Sequence, residues 1–344
     1  MRIAQVSPLY ESVPPRGYGG TERVVAYLAN ELVAQGHEVT LFASGDSYTK
    51  ARLEACAPRA LRSDPHAIEP IARHLVELER VFRAAASFDV VHAHVDYLAF
   101  PFARRVPVPV LSTLHGRLDL EPLVPLYREY GDQCVVSVSD AQRLPLPWLR
   151  WLGTVHHGLP RGLYDFQPEP DDYLAFVGRI SPEKRLDRAI EIAQRTDLPL
   201  RIAAKVDPVD VDYFRSVIRP LLDHPLVEFL GEVDDRGKNE LLGGARALLF
   251  PIDWPEPFGL IMIEAFACGT PVVAWQHGSV NEVIEHGVTG FVCDDIGAAV
   301  RAVRALDGIE RAACRRAFEE RFTADRMARD YLALYARLAG EGSG

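Results

Sequence analysis

Two carboxylates, Glu256 and Glu264, stand with seven residues between them inside the stretch LFPIDWPEPFGLIMIEAFACGTPVVA, 249–274. Carboxylates accept hydrogen bonds from hydroxyls. The helix start expected between them offers unpaired N–H groups and the positive end of a dipole to an anion. A polyol carrying a diphosphate would satisfy both sets. Arg179 and Lys184 bracket the turn GRISPEKR, 178–185. Two cations at a strand-to-helix junction can clamp a diphosphate, Arg as a fork and Lys as a point charge. A surface ion pair with Glu183 or Asp187 fits the spacing equally well. In YGGTERVV, 18–25, Gly19 and Gly20 let backbone approach a ligand just before a helix. They match neither GxGxxG nor GxxxxGK[ST], so an ordinary flexible loop is the competing reading. His115 lies where VPVLSTLH runs into Gly116, at a strand's carboxyl end, where ligand crevices of open α/β sheets form. A structural histidine is the alternative there. His92 and His94 share one face of a strand, but no third ligand of defined spacing follows, which favours a structural role over a metal site.

The elements that must position these residues are legible from punctuation and periodicity. Leu248 to Phe250 reads as a buried strand stopped by Pro251. Pro255 and Pro257 stiffen the following loop, Gly259 opens a helix over 260–267, and Gly269 and Pro271 end it before a strand at 272–274. Near the N-terminus a strand over 3–6 leads into a long Pro/Gly loop, 7–20. A helix capped by Thr21 follows, with Val24, Val25, Leu28 and Leu32 at helical spacing, and then a strand at 39–42. A helix over 69–86 would turn Ile71, Leu75, Leu78 and Phe82 to one side. Short β runs at 90–91, 108–114, 135–138 and 154–155 continue the first series. A second begins at Tyr173, with strands at 173–177, 200–204 and 227–230 and helices at 186–194, 213–222 and 238–242. Alternation of this kind predicts parallel α/β sheets. Thr323 would cap a last helix striped by Met327, Tyr331, Leu334 and Leu338.

A chain of 344 residues exceeds one ordinary core. The expected division is an N-terminal domain at 1–160, a linker at 161–172, a second domain at 173–322, and a terminal helix, 323–344, packing back on the first. The five cysteines are scattered and form no CxxC pair, so neither a disulfide framework nor a structural zinc is expected. A net charge of −10 argues against a general nucleic-acid binder. No apolar run approaches the roughly 18 residues of a membrane span. The N-terminus reads as a strand rather than a signal peptide, and a cytoplasmic location is expected.

The stretch EPFGLIMIEAFACGTPVVA, 256–274, resembles the signature of retaining glycosyltransferases of family 4, which have the GT-B fold. GRISPEKR, YGGTERVV and NEVIEHGVTGFVC, 281–293, are similar to further family segments. The resemblance implies an α/β protein of two Rossmann-like domains facing across a cleft, with the nucleotide-sugar donor held mainly by the second. It places Glu264 on the nucleotide ribose and Glu256 near the donor sugar hydroxyls. Arg179 and Lys184 would hold the diphosphate, Gly19 and Gly20 would close over it, and His115 would lie beside the transferred sugar. Gly178, Phe258, Gly259, Leu260 and Ile261 would complete the donor contacts. Two departures stand out: His157 where many members have Asn, and Ala204 where Gly is frequent. The latter leaves Lys205 as either a nucleotide contact or a solvated strand-end residue, the second being favoured.

The family lacks an Asp-x-Asp metal site, so no metal and no cofactor are expected. The partners are a nucleotide-sugar donor, UDP-linked by preference and GDP-mannose next, and a hydroxyl acceptor. With no basic amphipathic stripe to hold a bilayer, the acceptor is expected to be a soluble saccharide or natural-product intermediate. Orthosomycin antibiotics such as avilamycin are an example, and the Ala/Arg/Pro-rich, high-GC-like composition suits that origin. No nucleic-acid partner or stable membrane association is expected, and a monomer fits. A sugar-nucleotide epimerase or phosphorylase on the same fold, or a non-catalytic nucleotide-sugar binder, are the rival readings.

Overall fold

The computed structural model describes residues 1–67 and 69–341. The chain forms two units, one of residues 1–160 together with the C-terminal helix from Ala324, the other of residues 161–323. Each is a parallel sheet with helices packed on it.

In the first unit seven strands run in parallel: β1 (Arg2–Val6), β2 (Glu38–Ser44), β3 (Arg52–Ala57), β4 (Val90–Ala93), β5 (Val110–Thr113), β6 (Val135–Ser137) and β7 (Trp151–Thr154). Their order is β3-β2-β1-β4-β5-β6-β7. Six parallel strands form the second sheet: β8 (Leu174–Arg179), β9 (Leu200–Lys205), β10 (Val227–Gly231), β11 (Ala247–Phe250), β12 (Val272–Trp275) and β13 (Gly290–Cys293). Here the order is β10-β9-β8-β11-β12-β13. Central strands such as β4, β11 and β12 are buried at every position, as expected of parallel strands covered on both faces. In both sheets the chain first winds outward from one central strand and then returns to that strand's other side. This produces a topological switch point between β1 and β4 and another between β8 and β11, the place where open α/β sheets bind ligands at the strands' carboxyl ends.

The helices that matter to the site are α1 (Gly20–Ala34), α2 (Pro70–Arg83), α3 (Leu186–Thr196), α4 (Asp235–Gly244), α5 (Leu260–Ala267) and α6 (Ala324–Glu341). Along α1, Val24, Val25, Leu28 and Leu32 face the core as the periodicity requires. The N-cap, however, is Gly19 rather than Thr21, and no side chain caps the helix. An added Cβ on Gly19 would lie 2.8 Å from Pro15 Cβ, so the packing of the Pro15 ring against this residue favours glycine there. On α2 the buried face is His74, Glu77, Leu78, Val81 and Phe82, while Ile71 and Leu75 are exposed. The expected face was rotated because two polar residues, His74 and Glu77, go inward. His74 does so by accepting from Leu9 N at 3.0 Å and pairing with Pro70 O at 2.8 Å. β3 carries no clear alternation and was not anticipated; it is an edge strand with only its last two residues buried.

The helix expected over 213–222 is present as one uninterrupted helical run whose winding changes, α at Val211–Tyr213, π at Phe214–Ile218 and 3-10 at Arg219–Leu221. Pro220, which lacks an N–H and crowds the preceding turn, lies where the winding tightens. One further expectation fails locally. Thr323 does not cap α6, because its buried hydroxyl makes no hydrogen bond.

Residues 161–172 are not a free linker. Tyr164 is among the largest fully buried side chains, Gln167 N donates to Cys268 O at 3.0 Å, and Asp171 N donates to Gly244 O at 2.8 Å. This segment is structured as part of the second unit. Helix α6 lies against α1 and buries Met327, Ala328, Tyr331, Tyr335 and Leu338 in the first unit; of the expected terminal segment 323–344, residues 342–344 lie outside the described residues.

Candidate active site

The second unit gathers charged residues at its switch point. β8 ends on Arg179, and the turn after it closes through Pro182–Lys184 into Arg185, whose φ of 54° lies in the left-handed region. The loop after β11, residues 251–259, meets that turn: Asp253 N donates to Glu183 O at 2.8 Å. The contact carries Lys184 onto Glu256 in an ion pair that is largely buried. Trp254 Nε1 donates to the same carboxylate oxygen at 3.1 Å. The Lys184 ammonium also lies 4.9 Å from the Trp254 ring centroid and 5.6 Å from that of Phe250, where aromatic faces stabilise a cation.

Arg179 donates to Glu183 at 2.5 Å and lies 3.6 Å from Asp207 and 3.5 Å from Asp210. The ion pair with Glu183 that spacing allowed is therefore present, whereas Asp187 pairs with Arg185. Burial alone would raise the Glu183 carboxyl, but a backbone hydrogen bond and Arg179 outweigh it and hold it below the usual range. Burial wins at Asp210, which is raised despite Arg179. Lys205 pairs with Asp207 at 3.1 Å instead of standing free in solvent.

The loop that carries Glu256 is clamped from behind. Ser279 N donates to Glu256 O at 3.1 Å and Ser279 Oγ to Phe258 O at 2.6 Å. At Gly278, with φ of 56°, an added Cβ would lie 2.2 Å from Glu256 O, so only glycine lets the two backbones touch. Gly259, with φ of 78°, turns the chain into α5. Leu260 and Ile261 begin that helix, where backbone N–H groups have no carbonyl of the same helix to serve them. The Phe258 ring is buried edge-on to Phe322 at 6.2 Å, a packing position. Gly178 lies within β8, paired in register with Ala204, and nothing stands within 4 Å of a Cβ added there.

Glu264, in the second turn of α5, is 3% exposed and paired with Lys238 of α4 at 2.8 Å. Lys238 also lies 5.6 Å from the Tyr164 ring centroid. Sequence reasoning passed over Lys238 as an ordinary helix residue; no local signal links it to Glu264, because two separate helices bring them together.

At the switch point of the first unit buried histidines are gathered. The loop after β1, Gly19, Gly20 and the start of α1 line a cavity of about 400 Å³, together with Arg62, His94 and Asp96. His115 follows β5. Its backbone N donates to Asp96 Oδ1 at 3.1 Å, and Asp96 has a left-handed φ of 48°. The His115 ring lies 2.9 Å from His94 and stacks on His157 at 5.3 Å. Burial pushes the His115 imidazole down to about 3. His92, His94 and His157 are likewise held well below the usual histidine range by burial first and by one another second. Both ring nitrogens of His92 and of His94 are taken up in hydrogen bonds to neighbouring side chains. These are positively disfavoured charges, held as neutral rings.

Comparison with known proteins follows the same division. Residues 165–318 match the family model for glycosyl transferases group 1, and residues 18–173 match that for glycosyltransferase family 4. Glycogen synthase of Mycobacterium tuberculosis is 28% identical over 94% of this chain and 91% of its own length. The phosphatidyl-myo-inositol mannosyltransferase of the same organism is 26% identical over 90% and 86%. Among solved structures, AviGT4, a glycosyltransferase involved in avilamycin A biosynthesis, superposes with a TM-score of 0.77 at 27% identity over 98% of both chains. Anabaena HepE in complex with UDP shares the fold, with a TM-score of 0.76 at 18% identity over 98% of this chain and 100% of its own. The chain belongs to glycosyltransferase family 4 and has the GT-B fold. It is a glycosyltransferase.

Proposed function

We propose that the enzyme transfers a sugar from a nucleoside diphosphate to a hydroxyl of a soluble saccharide or natural-product acceptor, with retention at the anomeric carbon and without a metal. The observation that carries this reading is the charged group at the second switch point: Lys184 on Glu256, Arg179 beside it in sequence, and the start of α5 following the same loop. As the bond from C1 to the phosphate oxygen breaks, its electron pair moves to the diphosphate. Cations and N–H groups already in place stabilise that charge. The acceptor oxygen bonds to C1 on the same face, and its proton passes to the departing phosphate oxygen. In this reading Lys184 keeps one donor on Glu256 and turns others to the phosphate, Glu256 and Glu264 accept from sugar and ribose hydroxyls, and His115 lies beside the transferred sugar. Gly19 and Gly20 close over the diphosphate, and the acceptor enters beside the cavity of the first unit.

A UDP-sugar is the first donor proposed, and HepE binds UDP on this fold. GDP-mannose is second, favoured by the mannosyltransferase relative. The natural-product acceptor is supported by the likeness to AviGT4. The test is incubation with UDP- and GDP-sugars, with and without saccharide acceptors, reading released nucleotide, product mass and anomeric configuration. Nucleotide release with an α-linked product from an α-linked donor is expected. Interconversion of donors without nucleotide release would point to an epimerase, and an inverted product would overturn the retaining route.

A further inference from the structure

The segment that follows β5 is held by side chains from the loops of both neighbouring strands, β4 and β6. Leu114 N makes the last ladder bond, to Val136 O at 3.0 Å. Beyond it the backbone turns to side chains. Asp96, three residues past the end of β4, accepts from His115 N through Oδ1 at 3.1 Å. Gln142 lies on the short helix Asp140–Arg143 that follows β6, and it is buried. Its Nε2 donates to Leu114 O at 2.9 Å and to Gly116 O at 2.7 Å, while its Oε1 accepts from Val138 N at 2.9 Å. Ser139 Oγ accepts from Gln142 N at 3.1 Å and so caps the helix that presents Gln142. His115 is thereby gripped through its own backbone and through the residue on either side.

The direction of each bond is set by the backbone, because an N–H only donates and a carbonyl only accepts. The atom facing Val138 N must be the Gln142 amide oxygen, and the atom facing Leu114 O and Gly116 O must be its NH2 group. Turning the amide would set N–H against N–H and place its oxygen against two carbonyls. One arrangement satisfies the side chain, and it uses both amide hydrogens on the segment that carries His115. At Asp96 the sense is equally fixed: His115 N donates, the carboxylate accepts, and bonds from His115 N and Gly116 N favour its charged form against burial. With the backbone held, the ring meets fixed neighbours, His94 at 2.9 Å and the stacked His157 at 5.3 Å.

We propose that Gln142 and Asp96 are positioning residues that together fix the backbone carrying His115 and so set where its imidazole stands against the transferred sugar. In this role both act through His115. Setting that imidazole beside the sugar rests on the placement of His115 given above, whereas the clamp rests on the bonds to residues 114–116 and Val138. Transfer is sensitive to such support, since a shift of about 1 Å caused far from the chemistry can cost roughly a hundredfold in rate.

The test is a double-variant cycle on the full-length enzyme with the UDP- or GDP-sugar it turns over. Gln142→Met keeps the length of the side chain and removes all three bonds. It should lower kcat by roughly tenfold to a hundredfold and leave the KM for donor little changed. In a His115→Ala background the same substitution should cost less than about twofold, because its effect passes through a ring that is gone. Equal losses in both backgrounds would show that Gln142 supports only the fold, and would overturn the proposal. Placement is read without turnover in a long-range proton–nitrogen spectrum of the ¹⁵N-labelled protein, with His115 identified by its loss in His115→Ala. In Gln142→Met the His115 ring signals should shift or broaden while those of His286, in the second unit, stay. Unmoved His115 signals would also overturn the proposal. Asp96→Ala, which removes the acceptor of His115 N, should give the same pattern and serves should Gln142→Met not fold. Normal turnover in His115→Ala would instead remove His115 from the sugar site, and the ring signals would still decide whether Gln142 and Asp96 hold it.

Discussion

The two switch points share a topology and differ in chemistry. Around β8 and β11 the loops hold opposite charges in contact, Lys184 with Glu256, Lys238 with Glu264, and Arg179 with Glu183. Around β1, β4 and β5 four histidines are packed so deeply that they stay neutral. The difference suits the transfer proposed above. A departing diphosphate gains charge and needs fixed cations, whereas hydroxyls need only oriented donors and acceptors. The same fold supplies both because loops at the carboxyl ends of strands can change charge without disturbing the sheet.

The contrast breaks first under acid. The unfolded histidine value is about 6.5, and the folded values are lower, so the folded first unit binds fewer protons than the unfolded chain. Its stability is full above pH 6.5 and falls as pH drops through that value toward about 3, the value for His115. At one pH unit below 6.5 each such ring costs about 1.4 kcal/mol. Urea unfolding at pH 7.5 and 5.5 should show a loss of several kcal/mol. Hydrogen exchange at the lower pH should open β4 and β5 before β8 and β11; the reverse order would contradict the contrast.

Next in size is the buried pair on α4 and α5. Lys238→Met leaves the Glu264 carboxylate without its cation and should cost about 3–5 kcal/mol of stability, with the added Glu264→Gln recovering part of it. Denaturant midpoints of the single and double variants decide this. A loss below about 1 kcal/mol in the single variant would show the pair to be dispensable.

Lys184→Ala should lower kcat by about 2.7–4 kcal/mol of activation free energy, roughly a hundredfold to a thousandfold, with a smaller change in donor KM. Near-normal turnover would remove Lys184 from the diphosphate site.

The smallest effect is a gain. Glu77 of α2 is fully buried, neither carboxyl oxygen has a hydrogen-bond partner, and burial raises it well above the usual range. Glu77→Met should stabilise the protein by about 1–3 kcal/mol at neutral pH. The gain should shrink as pH falls toward 4.5, since the raised group costs stability only where the unfolded carboxyl ionises. A variant no more stable than the parent at pH 7.5 would show that the carboxyl is better solvated than its burial implies.

Short-range signals carried much of this protein. The helix expected over 260–267 is α5 to the residue, because Gly259 before it and Gly269 and Pro271 after it act through their own backbone. The strands on either side were equally legible from unbroken apolar runs. α2 was less so. Its hydrophobic pattern allowed two faces, and only packing decided that His74 and Glu77 turn inward.

By itself the sequence determined where backbone turns, where strands are buried on both faces, and which loops carry Arg179, Lys184, Glu256 and His115. Tertiary structure alone decided their partners. Lys184 meets Glu256, 72 residues away, because β8 and β11 are neighbours, and Gln5 reaches His94, 89 residues away, because β1 lies beside β4. Backbone preference is a local energy, written in each residue and those flanking it. The pairing of charges and of buried polar groups depends on strand order, which arises from the packing of the whole sheet.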